Sequence, residues 1–275
     1  MTLYLRLKVK DMLMNPELLG WGIGFIEFWV VMWIFVFSGV STGTPWRLYV
    51  IKTDIAMAYS FLGLLSMASV AIGLTYSVFH SSRAARYITK FTRVSPLTFI
   101  LEDFLGSLVS ILIFALVIFL SVIGLSYVKW RVLSLPENPL GVVVDLVLAG
   151  VALYWFAYTM ALVIIVARRT KALTMTSYIP LIVGFIAYSQ LWIDLGNLVY
   201  VIPLCSLPAL LTYHGTGAYP PTGAYFMWLV GDKLLPAINL RLAAASLFTW
   251  IAVFVAASLV LMRKSRGVPI EEIRL

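Results

Sequence analysis

From residue 97 to residue 127 the chain reads LTFILEDFLGSLVSILIFALVIFLSVIGLSY, and after Asp103 no charged side chain occurs until Lys129. About 20 consecutive apolar residues are enough to cross a bilayer as a helix. In lipid such a segment satisfies its own backbone hydrogen bonds and needs no surrounding core. The rest of the chain supports that reading. Of its 275 residues, 62% are hydrophobic and 12% charged, and the mean hydropathy is +0.99. Soluble domains run nearer ~45–50% apolar and about 25% charged.

Working outward, similar runs occupy 18–40, 54–80, 141–167, a stretch beginning near Met175, and 236–262. The expected fold is all-α and polytopic, with six membrane-spanning helices. The expected organisation is a single transmembrane domain. It starts with an interfacial segment (1–17), spans one and two (18–80) and a surface helix (81–96). Spans three to five (97–196) follow, then a broken apolar region (197–235), the last span (236–262) and a tail (263–275). In the broken region Pro203, Pro208, Gly215, Gly217, Pro220, Pro221 and Gly223 interrupt the helical pattern. It reads as two short re-entrant segments, since irregular backbone is tolerated at membrane depth when protein buries it.

The net charge of +8 would suggest nucleic acid in a soluble protein, but here its arrangement explains it. Arg6, Lys8 and Lys10, then Arg83 to Arg93, Arg168 to Lys171, and Arg263 to Arg274 fall on one side of the spans. The other side holds only Arg47, Lys52, Lys129, Arg131, Lys233 and Arg241. By the excess of Lys and Arg on the inner side, both termini are expected in the cytoplasm, with the chain multi-pass in the plasma membrane and no nucleic-acid partner. The first apolar run is too long for a cleavable signal peptide.

The one cysteine, Cys205, excludes an intrachain disulfide and a cysteine-built metal centre, and no metal is expected. No phosphate-cradling Gly-x-x-x-x-Gly-Lys-Ser/Thr motif is present. Gly39-Val40-Ser41-Thr42-Gly43 fits the nucleophile-elbow pattern, but that pattern belongs to a strand-to-helix turn, and here it follows a membrane span. It reads as a loop, and the chain is not expected to be an enzyme. Asp54, Asp145 and Asp194 are expected at the outer ends of spans, within reach of water. Glu27 lies deeper, about 13 Å beyond Leu18 at 1.5 Å per residue. It is a candidate for a polar path or a subunit seam, where Gly20 and Gly24 form a small-xxx-small step. The acidic pair Glu102 and Asp103 is expected to meet the preceding basic segment or to line a cytoplasmic entrance.

That basic segment is the most informative. Arg83, Arg86, Lys90 and Arg93 recur at steps of three, four and three, which puts them on one face of a helix, while Tyr87 and Phe91 fall on the other. Ser95-Pro96 ends it. Such a helix lies on the cytoplasmic surface, either as an anchor to membrane lipid or as a docking element for a protein partner. Leu3, Leu5, Leu7 and Val9 alternate with polar residues, which is formally a strand signal, and this segment is expected to be interfacial.

Lys10-Asp11-Met12-Leu13-Met14-Asn15-Pro16-Glu17 before the first span, and Arg93-Val94-Ser95-Pro96-Leu97-Thr98 with Glu102-Asp103 after the basic segment, resemble the permeases of type-two ATP-binding-cassette exporters. The Pro- and Gly-broken stretch before the last span and the basic Arg263-Lys264-Ser265-Arg266 are similar to that family's layout. The resemblance implies that 81–96 is a coupling helix, with Arg83, Arg86, Tyr87, Lys90, Phe91, Arg93, Ser95 and Pro96 meeting a separate P-loop ATPase. It also implies pairing with a second copy or a homologous permease. ATP and Mg would sit on the ATPase, and this chain would hold no cofactor. A secondary transporter independent of any ATPase is the alternative, with an integral-membrane enzyme or assembly factor behind it.

Overall fold

Proline-led caps set the starts of the two longest helices. Ser95 is extended and its hydroxyl accepts from the Thr98 amide at 3.1 Å, with Pro96 next. Asn138 accepts from the Gly141 amide at 2.9 Å ahead of Pro139. A side-chain oxygen satisfies an otherwise orphaned amide, and proline at the first position has no amide to orphan. Both helices stop where an arginine, Arg131 or Arg168, turns into the left-handed region.

The computed structural model describes residues 3–38, 47–91, 95–230 and 235–264, without the side chains of 3, 17, 21, 83–91, 96 and 230. About 84% of it is helical, and the described residues form no strand. The α-helices are α1 (Leu3–Met14), α2 (Pro16–Leu19), α3 (Phe25–Met32), α4 (Arg47–Met57), α5 (Leu64–Phe91) and α6 (Pro96–Trp130). They continue as α7 (Pro139–Ala167), α8 (Leu173–Ser177), α9 (Ile179–Tyr188), α10 (Leu207–Thr216), α11 (Tyr225–Val230) and α12 (Leu240–Lys264). Five helical runs among the described residues are long and apolar enough to cross a membrane: Arg47–Ser82, Leu97–Trp130, Pro139–Ala167, Thr170–Leu191 and Leu240–Lys264. The protein is an all-α, polytopic membrane protein.

The expected first span differs from the other five. Two π-helical stretches, Gly20–Gly24 and Trp33–Phe37, flank α3, and the apolar run Gly22–Phe37 is shorter than the others because the backbone becomes extended at Ser38. The second span starts earlier than hydropathy suggests, at Arg47, because Lys52 pairs with Glu137 and Asp54 is buried, so charges that end a hydropathy window do not end the helix. It also ends later. A π-helical stretch, Ala58–Gly63, joins α4 to α5, and α5 continues to Phe91. The backbone of 81–91 therefore continues α5 beyond the candidate span Arg47–Ser82 without a break. No Gly or Pro between Gly73 and Pro96 supplies a break.

The strand-like alternation at 3–9 resolves as the helix α1, lying against α6 with the Tyr4 and Phe99 rings 4.9 Å apart. At the core, α5 packs on α7, and α7 on α12. Phe156 stacks on Phe254 at 4.6 Å, and Thr159 bonds the Phe254 carbonyl at 3.1 Å and Ser258 Oγ at 2.9 Å. In 197–235 the helix α10 packs against α4 and the π-helical stretch that follows it, where Ser60 Oγ and Thr212 Oγ1 are 2.8 Å apart, and Gly223 bridges back to Asp194. Leu97, Leu101, Leu105, Leu112, Leu116 and Leu120 leave an exposed leucine face along α6, as lipid-facing residues of a span do.

Candidate functional site

The strongest concentration of buried polar chemistry lies where α1, α5, α6 and α7 meet, at the end of the bundle from which α6 starts. Asp103 is fully buried in the second turn of α6. Its Oδ1 accepts from Tyr4 Oη at 2.7 Å and sits 3.0 Å from Lys8 Nζ, while Oδ2 accepts from Tyr154 Oη at 2.8 Å. Lys8 Nζ also donates to Ser77 Oγ at 2.8 Å. A carboxylate withdrawn from water is tolerated only when paired and hydrogen-bonded, and here both oxygens are engaged. Gly106 lets α1 approach, since a Cβ there would meet Lys8 Cγ at 2.8 Å. Burial, reinforced by the neighbouring carboxylate, raises the Tyr4 pKa well above the ordinary phenol value, so this hydroxyl stays a donor.

Beside the pair opens a cleft of ≈ 860 Å³ between α1 and α5. Tyr4, Lys8 and Asp11 of α1, with Asn15 just past its end, line one wall; Tyr76, Ser77, His80 and Ser81 of α5, with Tyr178, line the other. These four N-terminal residues recur at steps of four, three and four, the spacing of one helical face. That polar stripe is the sequence signal that reveals the site, and the alternating leucines obscure it. The acidic pair is thus split. Asp103 meets Lys8 of the N-terminal helix, while Glu102 is half-buried on the turn beside it.

The other candidates are dispersed. On α5 the backbone carries Arg83, Arg86, Tyr87, Lys90 and Phe91, whose side chains lie outside the described residues, as do all of Arg93 and the 39–43 loop with Ser41. Ser95 and Pro96 cap α6. Glu27 is half-buried near Ser121, and a Cβ added at Gly20 or Gly24 would meet nothing within 4 Å. Asp194 is exposed, accepting from Thr222 Oγ1 at 2.6 Å and the Gly196 amide at 2.9 Å. Contrary to expectation, Asp54 and Asp145 are buried. Asp54 lies beside Ser38, Lys129 and Trp33, and Lys129 in turn donates to the Ile34 and Ser38 carbonyls.

Asp145 forms a pair that single-residue reasoning cannot see. Its Oδ2 is 2.6 Å from His214 Nδ1 at the end of α10, where the His214 carbonyl accepts from the Asn138 amide at 2.8 Å. The hydrogen bond to Asp145 raises the His214 pKa above that of a free imidazole; partial burial opposes this, and the carboxylate's charge adds to it. A group whose folded-state pKa is raised stabilises the fold fully below its unfolded value, about 6.5, and loses that contribution as pH rises through the folded value. The melting temperature of the purified protein is therefore expected to fall from about pH 6.5 upward. The variant His214→Gln should flatten that slope in the same scan; an equal slope in both proteins would exclude the pair as its cause.

Among the described residues no group of three His, Cys, Asp or Glu side chains is placed to hold a metal ion. The buried cluster holds a carboxylate, an ammonium group and two phenols that bond one another, an arrangement that fixes helices and shapes a polar cleft. The chain matches no family model and no curated protein.

Proposed function

We propose that the chain is the membrane-spanning permease subunit of an ATP-binding-cassette exporter, driven by a separate ATPase subunit. The observation that carries this reading is the continuity of the second span with the basic segment. The helical run Arg47–Ser82, whose apolar stretch is enclosed by the rest of the bundle, leads without a break into the turns bearing Arg83, Arg86, Tyr87, Lys90 and Phe91. A partner that moves those turns moves the most buried helix of the subunit, and the π-helical stretch at Ala58–Gly63 supplies a place for it to bend. The cap at Ser95-Pro96 lets α6 restart as a separate rigid body.

In this reading the helical run 16–37 is a sixth span, and the segments around α10 and α11 dip into the outer face without crossing. Both termini and the cleft beside Lys8 face the cytoplasm, and the chain resides in the plasma membrane. Gly20, Gly24 and Glu27 succeed one another at helical spacing, with no described atom within 4 Å of a Cβ added at either glycine, and a second permease copy packs there. ATP and Mg belong to the ATPase.

A photoreactive group at Tyr87 is expected to capture a P-loop ATPase from native membranes. Tyr87→Ala with Phe91→Ala should uncouple ATP hydrolysis from transport while membrane insertion is unchanged. Capture of lipid alone, with coupling intact in the double variant, would replace this reading with an ATPase-independent transporter.

A further inference from the structure

The two walls of the polar cleft carry matching stripes. On α5, Ser69, Ile72, Tyr76 and His80 recur at steps of three, four and four, one helical face, opposite the 4-3-4 stripe of the N-terminal residues. Two contacts fix how the stripes align. Lys8 Nζ bonds Ser77 Oγ at 2.8 Å, and Leu18 Cδ1 lies 3.4 Å from where a Cβ on Gly73 would stand. Asp11, between Lys8 and Leu18 in the chain, therefore falls level with the turn 73–77 that carries Tyr76. The space enclosed, ≈ 860 Å³, is that of a site for an organic molecule, about 300–1,000 Å³.

Charge decides what the cleft can hold. The ammonium group of Lys8 is already matched: it sits 3.0 Å from Asp103 Oδ1 on a side chain 4% exposed. Asp11 is exposed and, among the described residues, has no ion-pair or hydrogen-bond partner. Lys10 opens onto the neighbouring concave surface, which Asp11 also reaches, and does not line the cleft. Among the described lining residues the cleft thus carries one uncompensated carboxylate. It also presents the rings of Tyr76 and Tyr178, and the face of such a ring attracts a cation. Leu18 and Ile72 add apolar surface. A hard dication gathers about six or more oxygen ligands, which one carboxylate does not supply; an organic cation needs a single charge, aromatic faces and room for its body.

We propose that the cleft is a binding site for an organic monocation with an apolar body, its ammonium group held by Asp11 and the Tyr76 and Tyr178 rings and its body lying against Leu18 and Ile72. Naming this cation as cargo rests on the permease reading; the binding itself does not.

The test uses the full chain in phosphatidylcholine nanodiscs, titrated with benzyltriethylammonium and followed by saturation-transfer NMR against empty nanodiscs. Binding is expected to saturate. Phenyltrimethylammonium should displace the probe at least fivefold better than benzyl alcohol or benzylsulfonate. Asp11→Asn should weaken binding at least fivefold and Asp11→Glu less than threefold, while Asp194→Asn, at another exposed carboxylate, should leave it within twofold. Tyr76→Leu should weaken binding at least threefold, and Tyr76→Phe, which keeps the ring, should not. Equal displacement by the neutral and anionic compounds, unchanged binding in Asp11→Asn, or an equal loss in Asp194→Asn would overturn the proposal. Since no ATPase is needed, a saturable site together with failed ATPase capture would sink the permease reading and leave the site standing. The reverse combination would remove the site alone.

Discussion

Asp103→Leu is expected to destabilise the protein by about 3–5 kcal/mol, the cost of stranding one member of a buried ion pair. Lys8, 4% exposed at its side chain, would be left as an unmatched ammonium group with only Ser77 as a described partner. Adding Lys8→Met removes the stranded charge but not the Tyr4 and Tyr154 hydroxyls, which lose their acceptor. Each unsatisfied buried hydroxyl costs about 1–3 kcal/mol, so the double variant should recover only part of the loss. The quadruple variant with Tyr4→Phe and Tyr154→Phe should approach the wild type, because an apolar replacement of a whole buried polar cluster is often neutral or better. Thermal unfolding in detergent, with proteolysis of α1 as a second readout, checks the series. A single Asp103→Leu variant within about 1 kcal/mol of wild type would mean that the cluster contributes little to the fold.

The second large effect concerns the crossing of α6 and α7. A Cβ at Gly150 would lie 2.3 Å from Ile111 Cγ2 and 3.3 Å from its Cγ1. Ile111 is itself 1% exposed and cannot swing away. Gly150→Val is therefore expected to overpack the crossing by about 1–3 kcal/mol or more. Ile111→Ala leaves a cavity costing about 2–5 kcal/mol. Combined, the added side chain fills the vacated space, and the double variant should be at least about 1 kcal/mol more stable than the sum of the singles, the coupling that contacting residues show. Gly24→Ala is the control, since nothing lies within 4 Å of the added carbon; its monomer stability should be unchanged or improved by helix propensity. Strict additivity at Gly150 and Ile111 would exclude direct contact as the reason for the glycine.

Much of the architecture was legible because its punctuation is local. Ser95-Pro96, read as the end of the basic segment, is also the cap that starts α6, and Asn138-Pro139 starts α7 two residues before the apolar run at 141. Hydropathy located the cores of the five long helices but missed the early start at Arg47, because it counts Lys52 and Asp54 as charges without knowing that Glu137 neutralises one and neighbouring chain buries the other. The backbone of 81–91 runs on from α5 without a break, a continuity that amphipathic spacing alone does not reveal, because it says nothing about whether a helix is joined to the one before it.

The site was less legible. Asp103 and His214 stand out as residue types, yet their partners, Lys8 and Asp145, are chosen by tertiary packing across long stretches of chain. The side chains of the basic segment lie outside the described residues; among the described ones Asp103 meets Lys8, and Gly106 gives α1 the room to bring it there.

The contact between α1 and α6 also has a consequence for biogenesis. Tyr4 and Asp103 are 99 residues apart, and at roughly 5–20 residues per second of synthesis α1 waits about 5–20 s before its acceptor leaves the ribosome. During that wait Lys8 must remain hydrated, because the carboxylate it is buried with is not yet made. An α6 threaded in the opposite direction would carry Asp103 to the far end of the bundle, and the lysine would stay in water with α1 undocked. The buried pair thus reports on how the chain is threaded: only when the start of α6 comes to the same end of the bundle as α1 can the two helices close on each other.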